Sequence, residues 1–275
     1  MCVKGGERMS KMDDALYELR EMDDLAAADS PIHRLHPLAK LLATVVYIVA
    51  VASFDKYALS GVLTMVLYPA LLFQISGVPV RTCFYKLRIV LPLVMAVGLF
   101  NPLFDKAPLL TLGGVAVSGG VVSMLTLMLK GVLCLTASFL LIATTSIDAL
   151  CAALRMLHVP GMLVTLLLLT YRYVGVMTEE LAVMTDAYHL RAPGQKGIHY
   201  SAWGSFLGQL LLRSADRAEE LYASMRLRGF HGEFHYAGAR AFATSDALYG
   251  LACAGMCALF RFVDVAGLLG GALVR

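Results

Sequence analysis

Charge is what this sequence lacks first. Only 16% of its 275 residues are Asp, Glu, Lys or Arg, against roughly 25% in soluble domains, and 59% are hydrophobic. The mean hydropathy of +0.71 excludes an ordinary soluble domain, so the chain is read as an integral membrane protein. Several chemical signatures are missing as well. No Walker A loop, nucleophile elbow or zinc-protease motif occurs, so the chain cannot hydrolyse ATP alone. Cys2, Cys83, Cys134, Cys151, Cys253 and Cys257 show neither zinc nor disulfide spacing, and reduced thiols are expected. Met1 to Ala28 is polar and lacks the continuous apolar core of a signal peptide, so no cleavage for export is expected. The net charge of +3 is too small and too scattered for a nucleic-acid partner, and the basic residues read as topology determinants.

What is present is a series of apolar runs near the roughly 20 residues needed to cross about 30 Å of hydrocarbon. Leu38–Phe54 is a first span, with Lys40 able to snorkel at its entrance between the interfacial residues His33 and His36 and the hydrocarbon. Tyr57–Ser76 is a second, joined to it by Asp55-Lys56 in a helical hairpin. A basic loop with Arg81, Lys86 and Arg88 precedes a third span from Ile89 to about Phe104, interrupted by Pro92, Gly98 and Pro102. Val121–Ala143 is the fourth and Phe242–Phe260 the fifth, whose Gly250 and Gly255 give a small-residue face for close packing. The bias of Lys and Arg places the N-terminus and the Arg81–Arg88 loop in the cytoplasm.

Between the fourth and fifth spans the character changes. Ser146–His158 is an amphipathic surface helix, and Gly161–Arg191 reads as one long helix that starts against the membrane and ends in the cytoplasm. Arg172 leaves its apolar run at about ten residues, too short to cross, and is expected to pair with Glu179 or Glu180 at the membrane edge. A second long helix carries an apolar stripe of Ala218, Leu221, Tyr222 and Met225, and the first a stripe of Leu181, Met184 and Tyr188, by which the two can pack together. Each ends in a matched signature, Leu190-Arg191-Ala192 before Pro193-Gly194 and Leu227-Arg228-Gly229 at a glycine stop, so both guanidinium groups project from helix ends. One such arginine would be explained by the helix dipole, worth roughly 0.3–1 kcal/mol. A matched pair points instead to partner recognition, where losing one buried charge partner costs roughly 2–5 kcal/mol. His231-Gly232-Glu233-Phe234-His235 imitates a metal cluster, but Gly229 and Gly232 break the helix that would align it, and no metal ligand is assigned.

These features together resemble the transmembrane T component of energy-coupling-factor (ECF) transporters, a class of ABC importers, in its cobalt/nickel form, the CbiQ family. The residues that carry the resemblance are Leu35-His36-Pro37-Leu38-Ala39-Lys40-Leu41, Asn101-Pro102-Leu103-Phe104, Ala143-Thr144-Thr145, Val159-Pro160, Thr170-Tyr171-Arg172-Tyr173 with Glu179-Glu180, and Arg217-Ala218-Glu219-Glu220-Leu221 through to Leu227-Arg228-Gly229-Phe230. They cover roughly residues 29 to 235.

The resemblance implies an all-α integral membrane protein of about five transmembrane helices plus amphipathic and long cytoplasmic coupling helices. It divides the chain into a polar cytoplasmic segment (1–28), a four-helix membrane region (29–145), a coupling-helix region (146–240) and a C-terminal transmembrane helix (241–275). It implies a non-enzymatic scaffold in a bacterial or archaeal cytoplasmic membrane, with a cytoplasmic ABC ATPase dimer, a substrate-binding S component and a small accessory membrane subunit as partners. No cofactor is expected on this chain; ATP-Mg is used by the partner subunits. Carried over by position, Arg191 and Arg228 become the ATPase contacts, flanked by Leu190, Ala192, Leu227 and Gly229. The chain departs from the family pattern in having Leu for the first Ala at both places and Ala192 for the first Gly. The implied cargo is cobalt(II), with nickel or a vitamin as alternatives. A reading of another class is an intramembrane enzyme using Asp148, His158 and Arg172, which requires a closed polar cavity among them.

Overall fold

The computed structural model describes residues 21–99, 108–112, 115–193, 195, 197–232 and 243–262. Its helices are α1 (Pro37–Ala52), α2 (Leu59–Thr64), α3 (Leu67–Ser76), α4 (Val80–Leu99), α5 (Gly119–Thr144), α6 (Ile147–Met156), α7 (Gly161–Arg191), α8 (Trp203–Leu227) and α9 (Thr244–Phe262). A short antiparallel hairpin, β1 (Pro108–Leu112) with β2 (Val115–Ser118), precedes α5. The chain is an all-α membrane protein to which this hairpin is a local addition. Three helical stretches, Leu59–Ser76, Gly119–Thr144 and Gly161–Arg191, are long and apolar enough to cross a membrane, and Pro37–Ala52 is apolar but shorter. The described residues form two compact units, one of residues 23–150 and 243–262 and the other chiefly of residues 151–232.

The first unit is built around α1, on which α5 and α9 both pack. Pro37 stands at the start of α1, where no amide proton is needed, and His36 Nδ1 accepts the Leu38 N–H at 3.2 Å. His36 is buried rather than interfacial, because its own N–H donates to Asp246 Oδ1 at 2.9 Å. Asp246 Oδ2 accepts the Ala243 N–H at 2.9 Å, so one fully buried carboxylate caps the first turn of α9 and ties it to the first turn of α1. Lys40 does not snorkel. It is buried, and its Nζ donates to the Thr144 carbonyl at 2.6 Å, at the last residue of α5. A carbonyl at a helix C-terminus has no intrahelical donor and carries partial negative charge, which makes it a fit acceptor for an ammonium group. His33 Nε2 lies 3.0 Å from the Leu25 carbonyl and 3.4 Å from that of Ala143. Outside this cluster, the exposed Arg34 guanidinium holds the Asp29 carboxyl below the usual carboxylate range.

The opposite end of α1 is closed by two more cations. Lys130 Nζ donates to the carbonyls of Ala52 and Phe54, and Arg261 donates to Ser53 O at 3.2 Å while lying 5.0 Å from the Phe54 ring centre. Between the two ends sits an apolar core that includes Val51, Val62, Met65, Cys253 and the stacked rings of Tyr47 and Tyr68, 4.4 Å apart.

Three expectations about this unit need refinement or correction. The second span stands over Leu59–Ser76, but its helix is interrupted, with α2 and α3 separated at Met65-Val66. Pro69 lacks the amide that would reach the Met65 carbonyl, and the Tyr47 hydroxyl donates to that carbonyl instead, at 3.0 Å. Second, Arg81, Lys86 and Arg88 lie on α4 rather than on a loop before it, because nothing between Val80 and Arg88 breaks a helix. The end of the expected third span, 100–107, lies outside the described residues. Third, Gly250 and Gly255 have nothing within 4 Å. The packed side of α9 carries Asp246, Cys253 and Cys257, which share one helical face. A close approach does occur at Gly131 of α5, where a Cβ would come within 2.8 Å of Val94 Cγ1 on α4.

In the second unit, α7 is the single long helix expected, 31 residues from Gly161 to Arg191. Its length and composition permit it to cross a membrane, contrary to the reading that Arg172 leaves too short a run. A single arginine does not end an apolar run, because its long stem can carry the charge out of an apolar environment.

Candidate functional site

The two arginine signatures stand where local chemistry ends each helix. At the end of α8, Gly229 has φ of +80°, a conformation that L residues with a side chain rarely adopt. The Gly229 N–H donates to Arg226 O and the Phe230 N–H to Met225 O, both at 3.0 Å, which is the pairing of a Schellman stop. At the end of α7 the last turn carries His189 and Arg191, cations suited to a helix C-terminus, and Ala192 N donates to Tyr188 O at 3.0 Å before Pro193 prevents continuation.

Arg191 and Arg228 are both exposed, and neither has a carboxylate within ion-pair distance among the described residues. Their leucine neighbours are more telling. Leu190 is 84% and Leu227 90% exposed, while Ala192 is half-buried and Gly229 exposed. Each tip therefore offers one apolar side chain and one free fork of donors, which can enter an acidic or carbonyl-lined groove.

The connection after Arg191 is tied back onto α7. The Tyr188 hydroxyl donates to Gln195 Oε1 at 2.9 Å and accepts the His199 N–H at 3.1 Å. His199 Nδ1 then accepts the Ser201 N–H at 3.4 Å and opens the turn Tyr200–Ala202 that leads into α8. Sequence reasoning missed this tie, since a tyrosine bonded seven and eleven residues ahead leaves no periodic signal.

Other expected contacts are rearranged. Glu180 pairs with Arg213 of α8, not with Arg172, which is exposed. A partner 33 residues away on another helix displaces the one expected from short-range spacing. The α8 stripe of Ala218, Leu221, Tyr222 and Met225 does not meet Leu181, Met184 and Tyr188. It faces the N-terminal half of α7 across a groove of about 910 Å³. Asp148, His158 and Arg172 are all exposed rather than enclosed in the polar cavity that the enzymatic alternative requires. No group of three metal-ligating side chains occurs among the described residues. Within the imitation metal cluster, His231 and Gly232 are exposed, and the rest lies outside the described residues.

The profile of the family described as cobalt transport protein, CbiQ, matches residues 28–236. Among curated proteins, the chain is 34% identical to the nickel permease LarQ of Lactiplantibacillus plantarum over 91 residues, 33% of each chain. It is 35% identical to the cobalt transport protein CbiQ of Rhodobacter capsulatus over 96 residues, 34% of this chain and 38% of that one. An uncharacterised protein of Methanocaldococcus jannaschii is 25% identical over 120 residues, 42% of this chain and 41% of the other. The aligned part thus spans about a third to two-fifths of these relatives.

Proposed function

The chain belongs to the CbiQ family of cobalt transport proteins, and from that premise we propose that it is the T component of an ECF-type importer in a bacterial or archaeal cytoplasmic membrane, with its N-terminus inside. In this reading it binds no cofactor and is not an enzyme. A cytoplasmic ATPase pair consumes ATP-Mg, and its closing pulls on Arg191 and Arg228. The motion passes along α7 and α8 to a membrane-embedded S component, with a small accessory membrane subunit in the assembly, and that component releases its cargo inward.

The observation that carries the reading is the matched pair of exposed Leu-Arg tips at the ends of two long helices, with neither arginine neutralised by the chain's own described carboxylates. An unpaired guanidinium supplies the directional contact a moving partner can pull. The cargo is cobalt(II) or nickel(II), in keeping with the names of the relatives, a cobalt transport protein and a nickel permease. Cobalt is the first choice.

Replacing both Arg191 and Arg228 by Glu tests the proposal. The ATPase should no longer co-purify in mild detergent, and ATP-dependent uptake of radioactive cobalt should stop, while the variant still inserts in the membrane. Unchanged recovery of the ATPase would refute the role of the tips. Uptake of nickel but not cobalt by the wild-type complex would reassign the cargo alone.

A further inference from the structure

Beside Lys40 in the first unit lies a small cavity of about 10 Å³, walled by four helices. Its polar lining comes from Lys40 and Thr44 of α1, Tyr68 of α3, Thr144 of α5 and Tyr249 of α9, and Ile32 with three leucines completes the wall. Lys40, Thr44, Tyr68 and Thr144 are all buried, so the space is closed off from solvent by the packing of the unit itself.

The hydrogen-bond inventory of this wall does not close. Tyr68 Oη is buried and has no partner among the described residues, whereas the Tyr47 hydroxyl, on the ring stacked against it, donates to Met65 O. Burying a hydroxyl without a bond is costly. An ammonium group has three protons, and Lys40 places one on Thr144 O. The Thr44 hydroxyl donates to Lys40 O at 2.9 Å, so what it offers the cavity is an acceptor oxygen. The wall therefore presents a surplus donor, an acceptor and one hydroxyl able to act as either.

Such a set matches a molecule that both donates and accepts. A cavity holds a water when it has roughly 10–15 Å³ of room and two to four polar partners, and an apolar cavity of the same size stays dry. The Lys40 ammonium excludes a cation, and a chloride ion is larger than the water for which there is room.

We propose that one water molecule is bound here as part of the fold, accepting from Lys40 Nζ and Tyr68 Oη and donating to Thr44 Oγ1. It joins α1 to α3 and gives the buried ammonium a second acceptor beside the end of α5. The site belongs to the packing of the first unit and takes no part in the contacts at Arg191 and Arg228.

Thermal unfolding of the purified full chain in detergent tests the proposal by the sign of a shift. Tyr68→Phe keeps the stacked ring and removes only the hydroxyl. If water satisfies that hydroxyl, the unfolding temperature should fall by about 2–4 °C. A rise or no change would mean that the hydroxyl has no partner to lose, and would overturn the proposal. Thr44→Val should also lower the temperature, and the double variant should lose less than the sum, because both side chains act on one molecule. Additive losses would overturn the bridge. An experimental structure of the full chain at a resolution that shows ordered solvent gives the direct readout. A density peak about 2.7–3.2 Å from Lys40 Nζ, Tyr68 Oη and Thr44 Oγ1 is expected. An empty cavity, a direct bond from Tyr68 to a neighbouring side chain, or a peak replaced by bromide on halide exchange would each overturn the assignment.

Discussion

The two units of this chain are stabilised in opposite ways. In the first, α5 alone buries eleven residues, and a carboxylate and an ammonium, Asp246 and Lys40, are sunk among the helices and spent on backbone groups. In the second, 31 residues of α7 bury two and 25 residues of α8 bury one, and the named tie between the helices is a partly exposed ion pair, Glu180–Arg213. The first is a body whose polar groups have been used up internally. The second is a pair of long helices that bury little against their own chain, so most of their surface is open to other molecules.

If that contrast is real, equivalent substitutions should have very unequal effects. The largest is expected at Asp246→Ala, which strands the buried His36 N–H and the partly buried Ala243 N–H and should lower stability by about 2–5 kcal/mol. Thermal unfolding in detergent measures it, with Asp246→Asn recovering part of the loss. A loss as small as that of a surface change would mean that the first unit is not locked by its polar core. Next comes Gly131→Ala, whose Cβ presses on the stiff Val94 side chain and should cost about 1–3 kcal/mol, with Val94→Ala as a second change restoring much of it.

In the second unit, Gly229→Ala forces a positive φ on a residue with a side chain and should cost about 1 kcal/mol. The loss should appear as faster amide exchange at Gly229 and Phe230 with little change in the overall unfolding temperature. Gly175→Ala, in open space within α7, should go the other way and stabilise by about 0.5–1 kcal/mol. The smallest effect is expected from Glu180→Gln, less than about 1 kcal/mol by double-mutant cycle with Arg213→Gln. A coupling of several kcal/mol there would show the two long helices to be locked together and would erase the contrast.

What could be read from the sequence follows the range of the interactions. Pro193 and Gly229 stop their helices through bonds to residues within a turn or two, so the tips and the 31-residue length of α7 were legible. The stripe of Ala218, Leu221, Tyr222 and Met225 was also legible as a stripe, because it is a property of one helix. Its facing residues were not, since periodicity says which side is apolar and not what lies opposite. The same limit hid the bond from Lys40 to Thr144, 104 residues away, although both lie in segments that carried the family resemblance. The break at Met65 was within reach, because Pro69 marks the carbonyl that loses its donor. Hydropathy concealed it by running smoothly across the gap. Asp246 was invisible because a lone acid at the edge of an apolar run reads as a boundary, and its partner at His36 is 210 residues earlier.

That last separation sets a timetable for biosynthesis. The His36 amide is made early, but the carboxylate that satisfies it leaves the ribosome only after α7 and α8 have been synthesised in full. Until then the nascent bundle has an open seam where α9 will dock. The helix that closes the first unit is therefore made after both long helices of the second, and a chain that ends short of Thr244 keeps the His36 amide without its carboxylate.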